Sequence, residues 1–139
     1  MEYVVGLLFD GPKDFVALAR KNRPAWQVGL LNGPGGKMKP GEEVRDAQSR
    51  EFQEEAGVLI PPAAWCYFAT LNCDNGDRVH FLTVTRNCNI QSMTDEPVAW
   101  YSVKGVRDDL PVVGNLRWLI PLALDQDRDR CFMEMHETP

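Results

Sequence analysis

Apolar positions along the chain come in short blocks separated by Gly, Pro, Asn and Asp, with one longer stretch that lacks such breaks. "YVVGLLF" (Tyr3 to Phe9) and "FVALARK" (Phe15 to Lys21) are rich in β-formers and flank the turn cluster "DGPKD", which predicts a strand pair. "NRPAWQVGLLNGPGG" is studded with Pro and Gly and is expected to be an irregular loop. From Glu43 to Ala56 there is neither Pro nor Gly, most residues are good helix formers, and Gly57 stands where a helix-ending glycine belongs. "WCYFATLNC" and "RVHFLTVTRN" flank "DNGD", so Asn75 and Gly76 are the turn of a predicted hairpin. A calcium loop at "CDNGD" is excluded because the remaining ligand positions are missing. "PVAWYSV" reads as a further strand. "NLRWLIPLAL", Asn115 to Leu124, reads as a helix packed on a sheet, with Pro121 at a kink or ending it early. The last residues, "DQDRDRCFMEMHETP", are expected as a frayed tail or a short edge strand.

At 139 residues, 44% hydrophobic and 25% charged, the chain is expected to form a single domain over residues 1–139. No apolar run approaches the roughly 18 residues that cross a bilayer, so no membrane association is expected. The run from Tyr3 to Phe9 lacks a basic leader and a small-residue cleavage site, and is expected to be a first strand rather than a secretory signal. Cys66, Cys73, Cys88 and Cys131 are expected to be reduced thiols in a cytoplasmic protein, since a chain of this size needs no disulfide staples. Cys66, Cys73 and His80 lack the close-paired spacing of a zinc site. A net charge of −5 argues against a nucleic acid polymer as partner and fits a small-molecule enzyme that recruits cations.

The unbroken helical stretch carries the chemistry. Spacing residues at 100° puts Val44, Ala47, Phe52 and Ala56 on an apolar arc that should face the protein. Glu51 and Glu55 fall inside this arc and Glu54 at its border, whereas Arg45, Asp46, Ser49 and Gln53 take solvent positions. Carboxylates placed only for solubility would oppose the apolar stripe; these interrupt it. Glu51, Glu54 and Glu55 stand at i, i+3 and i+4 and are neighbours on one surface. Two such charges about 4 Å apart repel by roughly 4 kcal/mol at an effective dielectric near 20. Arg50 can pair with one of them but cannot neutralise all three together with Glu42. An oxygen-only donor set of this kind suits Mg²⁺, with Mn²⁺ as substitute. The preceding "GPGG" lets backbone approach a ligand closely, and magnesium held by a few carboxylates keeps positions for water and substrate phosphate.

These residues, Gly36, Glu42, Arg50, Glu51, Glu54, Glu55 and Gly57, with Phe52 and Val58 at apolar places, resemble the Nudix box, G-x5-E-x7-R-E-U-x-E-E-x-G-U. Seven fixed letters coincide by chance at a given start with probability on the order of 10⁻⁸ at ordinary residue usage. Phe52 is one mild departure, aromatic where aliphatic is commoner. The resemblance implies an α/β (α+β) class and the Nudix fold, a mixed β-sheet sandwiched between α-helices, with which the element order above is compatible. It also implies hydrolysis of a nucleoside diphosphate linked to another moiety. Carried over residue by residue, it makes Glu54 and Glu55 metal ligands, Glu51 a ligand or the base, Arg50 the group that orients Glu51, and Gly36 a carbonyl donor. Glu42 is implied as a weaker participant, and Asp95 or Glu96 as a possible acid outside the box. A homodimer is a family analogy.

For the base, Asn32 offers a donor and an acceptor, or merely shapes the turn. Trp26, Asn115 and Trp118 could frame it by stacking, although Trp118 is expected chiefly in the core. His80 and His136 are expected as strand and tail residues. "KNRPAWQVGLLNGPGGK" resembles the family's nucleotide-cleaning branch, which implies a nucleoside triphosphate giving monophosphate and pyrophosphate. ADP-ribose, a dinucleoside polyphosphate or a nucleotide sugar are the alternatives, and a catalytically idle ligand-sensing domain is a third reading.

Overall fold

The computed structural model describes residues 1–127 and 131–137. Its centre is β1 (Glu2–Phe9), which runs parallel to β6 (Arg78–Thr85) along its full length, from Glu2 opposite Arg78 to Phe9 opposite Thr85. The other edge of β1 is shared. β4 (Gly35–Lys37) is antiparallel to Tyr3, Val4 and Val5, and β2 (Phe15–Arg20) is antiparallel to Leu8 and Phe9. β2 in turn pairs with β3 (Leu31–Asn32) and β7 (Val98–Ser102), both antiparallel. Beyond β6 lie β5 (Cys66–Asn72), its hairpin partner, and β8 (Met133–His136), parallel to β5. The result is the expected mixed sheet.

Helices cover both faces, which explains why β1 is apolar at consecutive positions instead of alternating. Val4 and Leu8 pack with Ala47, Phe52 and Ala56 of α1 (Val44–Ala56) and with Trp65 and Leu82. Val5, Leu7 and Phe9 point the other way, onto Val106 of α2 (Val103–Asp108) and Leu116, Leu119, Ile120 and Ala123 of α3 (Leu116–Leu124). Gly57 ends α1 in the left-handed region at φ 73°, its N–H returning to the Gln53 carbonyl. In the β5–β6 turn Gly76 takes φ 94°, and the Asn75 side chain accepts from the Asp77 N–H at 2.9 Å.

Several expectations are corrected. The segment before α1 is not simply a loop. It contains β3, β4 and a 3-10 turn at Ala25–Gln27, strands too short to leave a periodic signal. Its glycines first serve strand packing: a Cβ on Gly35 would lie 1.9 Å from the Val4 carbonyl oxygen, and one on Gly33 2.4 Å from that of Gly6. Pro121 does not end α3, which continues to Leu124, because burial of Leu116, Leu119, Ile120 and Ala123 offsets one lost backbone bond. Those four residues take the core face, so Trp118 turns outward and is 47% exposed rather than core. Ser49 is buried, not solvated, and donates its hydroxyl to the Ile60 carbonyl, because the chain after α1 folds back over that face. α2, capped by Ser102, carried no pattern that predicts it. The chain end forms the edge strand β8, and residues 128–130 and 138–139 of the expected tail lie outside the described residues. Among the described residues no helix is long and apolar enough to cross a membrane.

Candidate active site

The i, i+3, i+4 spacing on α1 translates into graded burial against β4. Glu55 is buried, the Glu51 side chain is 14% exposed, and that of Glu54 is 55% exposed. Glu55 Oε2 accepts from the Gly35 N–H at 2.9 Å. The Glu51 carboxylate lies so close to Gly36 that a Cβ there would sit 2.7 Å from both Cδ and Oε2. Two successive glycines thus receive carboxylates from two glutamates one helical turn apart.

Arg50 does not pair with a single glutamate. Its guanidinium forks onto Glu42, with Nε to Oε2 at 2.8 Å and Nη2 to Oε1 at 2.9 Å, and donates through Nη1 to Glu51 Oε1 at 2.8 Å. Glu54 receives the same Nη1 at 3.4 Å. Hydrogen bonds from Arg50 hold the Glu42 carboxyl well down, at about 2, against the opposing effect of desolvation. The same bond to Glu42, aided by Glu51, raises the Arg50 guanidinium despite its burial. Glu42 is therefore engaged in fixing Arg50, and its second backbone contact, from the Lys39 N–H at 2.9 Å, anchors the loop ahead of the helix.

Glu55 is the carboxylate of the set that Arg50 does not touch. Burial pushes its carboxyl up to about 7; Lys21 and the Gly35 N–H pull downward, and the negative charges of Glu51 and Glu96 add to the rise. A cation placed beside it would relieve that strain on its charged form. Among the described residues no three Asp, Glu, His or Cys side chains are drawn together at ligand spacing, and Arg50 stands between Glu42, Glu51 and Glu54. The donors nevertheless fit a hard divalent ion in kind: carboxylate oxygens only, with the Glu51 carboxylate packed directly on Gly36, where any side chain would displace it.

The remaining candidates divide. Asp95 is 63% exposed in its side chain and bonds to Arg23 on the surface. Glu96 is buried, so the reading of two solvated carboxylates holds only for Asp95. Glu96 accepts from Lys21 Nζ at 2.9 Å and from the N–H groups of Asn22 and Arg23 at 2.8 and 3.3 Å. Both Lys21 and Glu96 act electrostatically on Glu55, which puts a cation and a further acid beside the site. Lys21 escaped the sequence reading; its signal was the pair of basic residues Arg20 and Lys21 that follows the apolar run of β2 immediately before the loop. Asn32 is buried on β3, its Oδ1 accepting from the Gly33 N–H at 2.9 Å and its Nδ2 directed to Gln27 Oε1 at 3.4 Å. Leu31 bridges Val112, and Asn115, a short way along, holds a buried side-chain oxygen that no donor satisfies among the described residues. Trp26 is 67% exposed on the 3-10 turn, and Trp118 lies on the outer face of α3. Cys66, Cys73, Cys88 and Cys131 are unpaired, and His80 is a buried strand residue bonded to Glu2 and Tyr67.

Comparison with known proteins bears on the family and the fold. The family model for the NUDIX domain matches residues 2–119. The uncharacterized Nudix hydrolase YvcI of Bacillus subtilis is 49% identical over 47 residues, which is 34% of this chain and 27% of YvcI. The 8-oxo-dGDP phosphatase NUDT18 of Mus musculus is 29% identical over 113 residues, 71% of this chain and 32% of that protein. The chain thus spans about a third or less of the length of these curated relatives. Among solved structures, the mutator MutT protein from Bacillus halodurans superposes with a TM-score of 0.74 at 22% identity, covering 99% of this chain and 90% of that one. The NUDIX domain of Shewanella oneidensis NrtR, solved with ADP ribose, superposes with a TM-score of 0.75 at 20% identity, covering 91% and 87%. At these identities the structural likeness speaks for the fold.

Proposed function

Because the chain belongs to the NUDIX domain family, we propose that it is a divalent-cation-dependent pyrophosphohydrolase acting on a nucleoside diphosphate linked to a further group, with a nucleoside or deoxynucleoside triphosphate as the favoured substrate. The observation that carries the reading is the packing of Glu51 and Glu55 onto the successive glycines 36 and 35, which leaves carboxylate oxygens and backbone, and no bulk, at one point. Glu51, Glu54, Glu55 and the Gly36 carbonyl would hold Mg²⁺ or Mn²⁺. A cation there supplies neutralisation of phosphate charge and activation of water for attack.

The chain's own groups then have assigned roles. Arg50, itself fixed by Glu42, orients the Glu51 carboxylate, which takes the proton as water attacks phosphorus. A new P–O bond forms to the water oxygen, the bridging P–O bond breaks, and pyrophosphate leaves from a triphosphate. Lys21 offsets phosphate charge beside Glu55, and Glu96 holds the Lys21 ammonium in place. Asn32 and Asn115 are the amides assigned to the base edge, while exposed Trp118 and Trp26 offer stacking surfaces. Four unpaired thiols are in keeping with a cytoplasmic setting.

The test is a panel of normal and oxidised nucleoside tri- and diphosphates, ADP-ribose, a dinucleoside polyphosphate and a nucleotide sugar, each with Mg²⁺ or Mn²⁺. Pyrophosphate release from a triphosphate is the expected result. Likeness to a relative named as an 8-oxo-dGDP phosphatase favours a second reading, in which phosphate is released from an oxidised diphosphate. Two monophosphates from ADP-ribose would move the assignment to that class, and no turnover of any member would refute it.

A further inference from the structure

Gln48 sits in the middle of α1, pointing into the sheet, and is fully buried, a position where an apolar side chain would serve packing better. Its Nε2 donates to the Pro34 carbonyl at 3.1 Å, and the same carbonyl accepts from the Gly6 N–H at 2.9 Å. Its Oε1 is buried without a donor among the described residues, a cost that Met or Leu would avoid. Gly6 exists to admit this amide: a Cβ there would lie 2.0 Å from Gln48 Nε2 and 2.5 Å from its Cδ. The Pro34 carbonyl and the Gly35 N–H belong to one peptide unit, and a trans peptide is planar with the two groups opposed. Holding the carbonyl on one side therefore aims the N–H on the other, and that N–H is the one bonded to Glu55 at 2.9 Å.

We propose that Gln48 is a positioning residue for the acidic site: with Gly6 it clamps the Pro34–Gly35 peptide plane, and through that plane it sets the carboxylate of Glu55. Neither residue touches substrate or cation. The inference rests on the metal-dependent reading above for its consequence in activity, but the clamp itself is independent of it. Loss of one net hydrogen bond loosens the plane by roughly three- to tenfold in the relevant equilibrium.

Two variants separate positioning from packing. Gln48→Met keeps the volume and removes the donor. The pair Gly6→Ala with Gln48→Ala fills part of the vacated space from the strand side, where the Trp65 ring, 3.0 Å from the new carbon, must give slightly. Amide exchange of Gly35 in the cation-free protein, followed by NMR, is expected to quicken three- to tenfold in both, with thermal midpoints of the double variant close to the parent. Titration with Mn²⁺ alone is expected to need three- to tenfold more ion for half-saturation. Parental Gly35 protection in either variant overturns the proposal. Quickened exchange with unchanged Mn²⁺ binding overturns its link to the acidic site. Failure of the parent protein to bind Mn²⁺ would instead remove the proposed function, leaving the exchange arm to decide the clamp.

Discussion

Replacing Gly36 by Ala tests the acidic site with a single methyl group. Gly36 is in strand β4 with no positive φ, so the backbone accepts alanine without strain. The added Cβ would lie 2.7 Å from Glu51 Cδ and Oε2, where ordinary contact begins at 3.4 Å, so the carboxylate must retreat by about 0.7 Å. A carboxylate at the end of a flexible side chain moves cheaply, and the thermal midpoint is expected to fall by no more than a few degrees, equivalent to under about 1 kcal/mol. The chemistry is less tolerant. Catalytic groups work within about 0.5 Å of their productive position, and a misplacement near 1 Å costs on the order of 10²-fold in rate. The retreat also disturbs the 2.8 Å bond from Arg50 Nη1, which orients the same carboxylate. The measurement is kcat, with saturating Mg²⁺, on the nucleotide turned over fastest by the parent, alongside a thermal melt. A variant that melts normally and turns over within twofold of the parent would refute the placement of Glu51 at the reacting centre.

Other expectations follow from neighbouring features. Gly35→Ala should fail differently from Gly36→Ala, because its Cβ would lie 1.9 Å from the Val4 carbonyl oxygen, backbone that cannot retreat; a loss of about 1–3 kcal/mol or more in urea unfolding is expected. Burial raises the Glu96 carboxyl, but bonds from Lys21 and the Asn22 and Arg23 N–H groups outweigh it and leave the group below its ordinary 4.5. With the folded value depressed, the contribution is present above pH 4.5 and lost as pH falls through the folded value. Urea midpoints of the parent and Glu96→Gln, measured without cation from pH 6 downward, should therefore converge below pH 4.5, and a constant gap would contradict this. Trp118→Ala, at an exposed site, should leave stability within about 0.5 kcal/mol of the parent. If the indole stacks on a base, KM should rise at least about fivefold, from the 1–3 kcal/mol of one stacking contact. An unchanged KM would return Trp118 to a surface role.

Much of the architecture is legible because it is written in local periodicity. The run of β-formers from Tyr3 to Phe9 announces a first strand, and Asn75-Gly76 announces the β5–β6 hairpin without reference to anything distant. The span of α1 and its end at Gly57 follow from the absence of breakers and the left-handed tolerance of glycine. β3, β4 and α2 were illegible for the opposite reason: two or three paired residues, or one helical turn and a half, produce no period to detect, and their existence depends on partners far along the chain.

The same division runs through the site. By itself the sequence determined the cast, Arg50, Glu51, Glu54 and Glu55 on one helical surface behind a glycine loop, since side-chain type and a 100° step need no further information. Tertiary structure alone decided the assignments. Arg50 forks onto Glu42 and also reaches Glu51 rather than pairing with a single glutamate, Glu55 is buried away from it, Lys21 meets Glu96 across 75 residues, and Gln48 reaches the Pro34 carbonyl. Which polar groups meet is set by how β1, β4 and α1 stack, and the burial that results decides how strongly their charges act on one another.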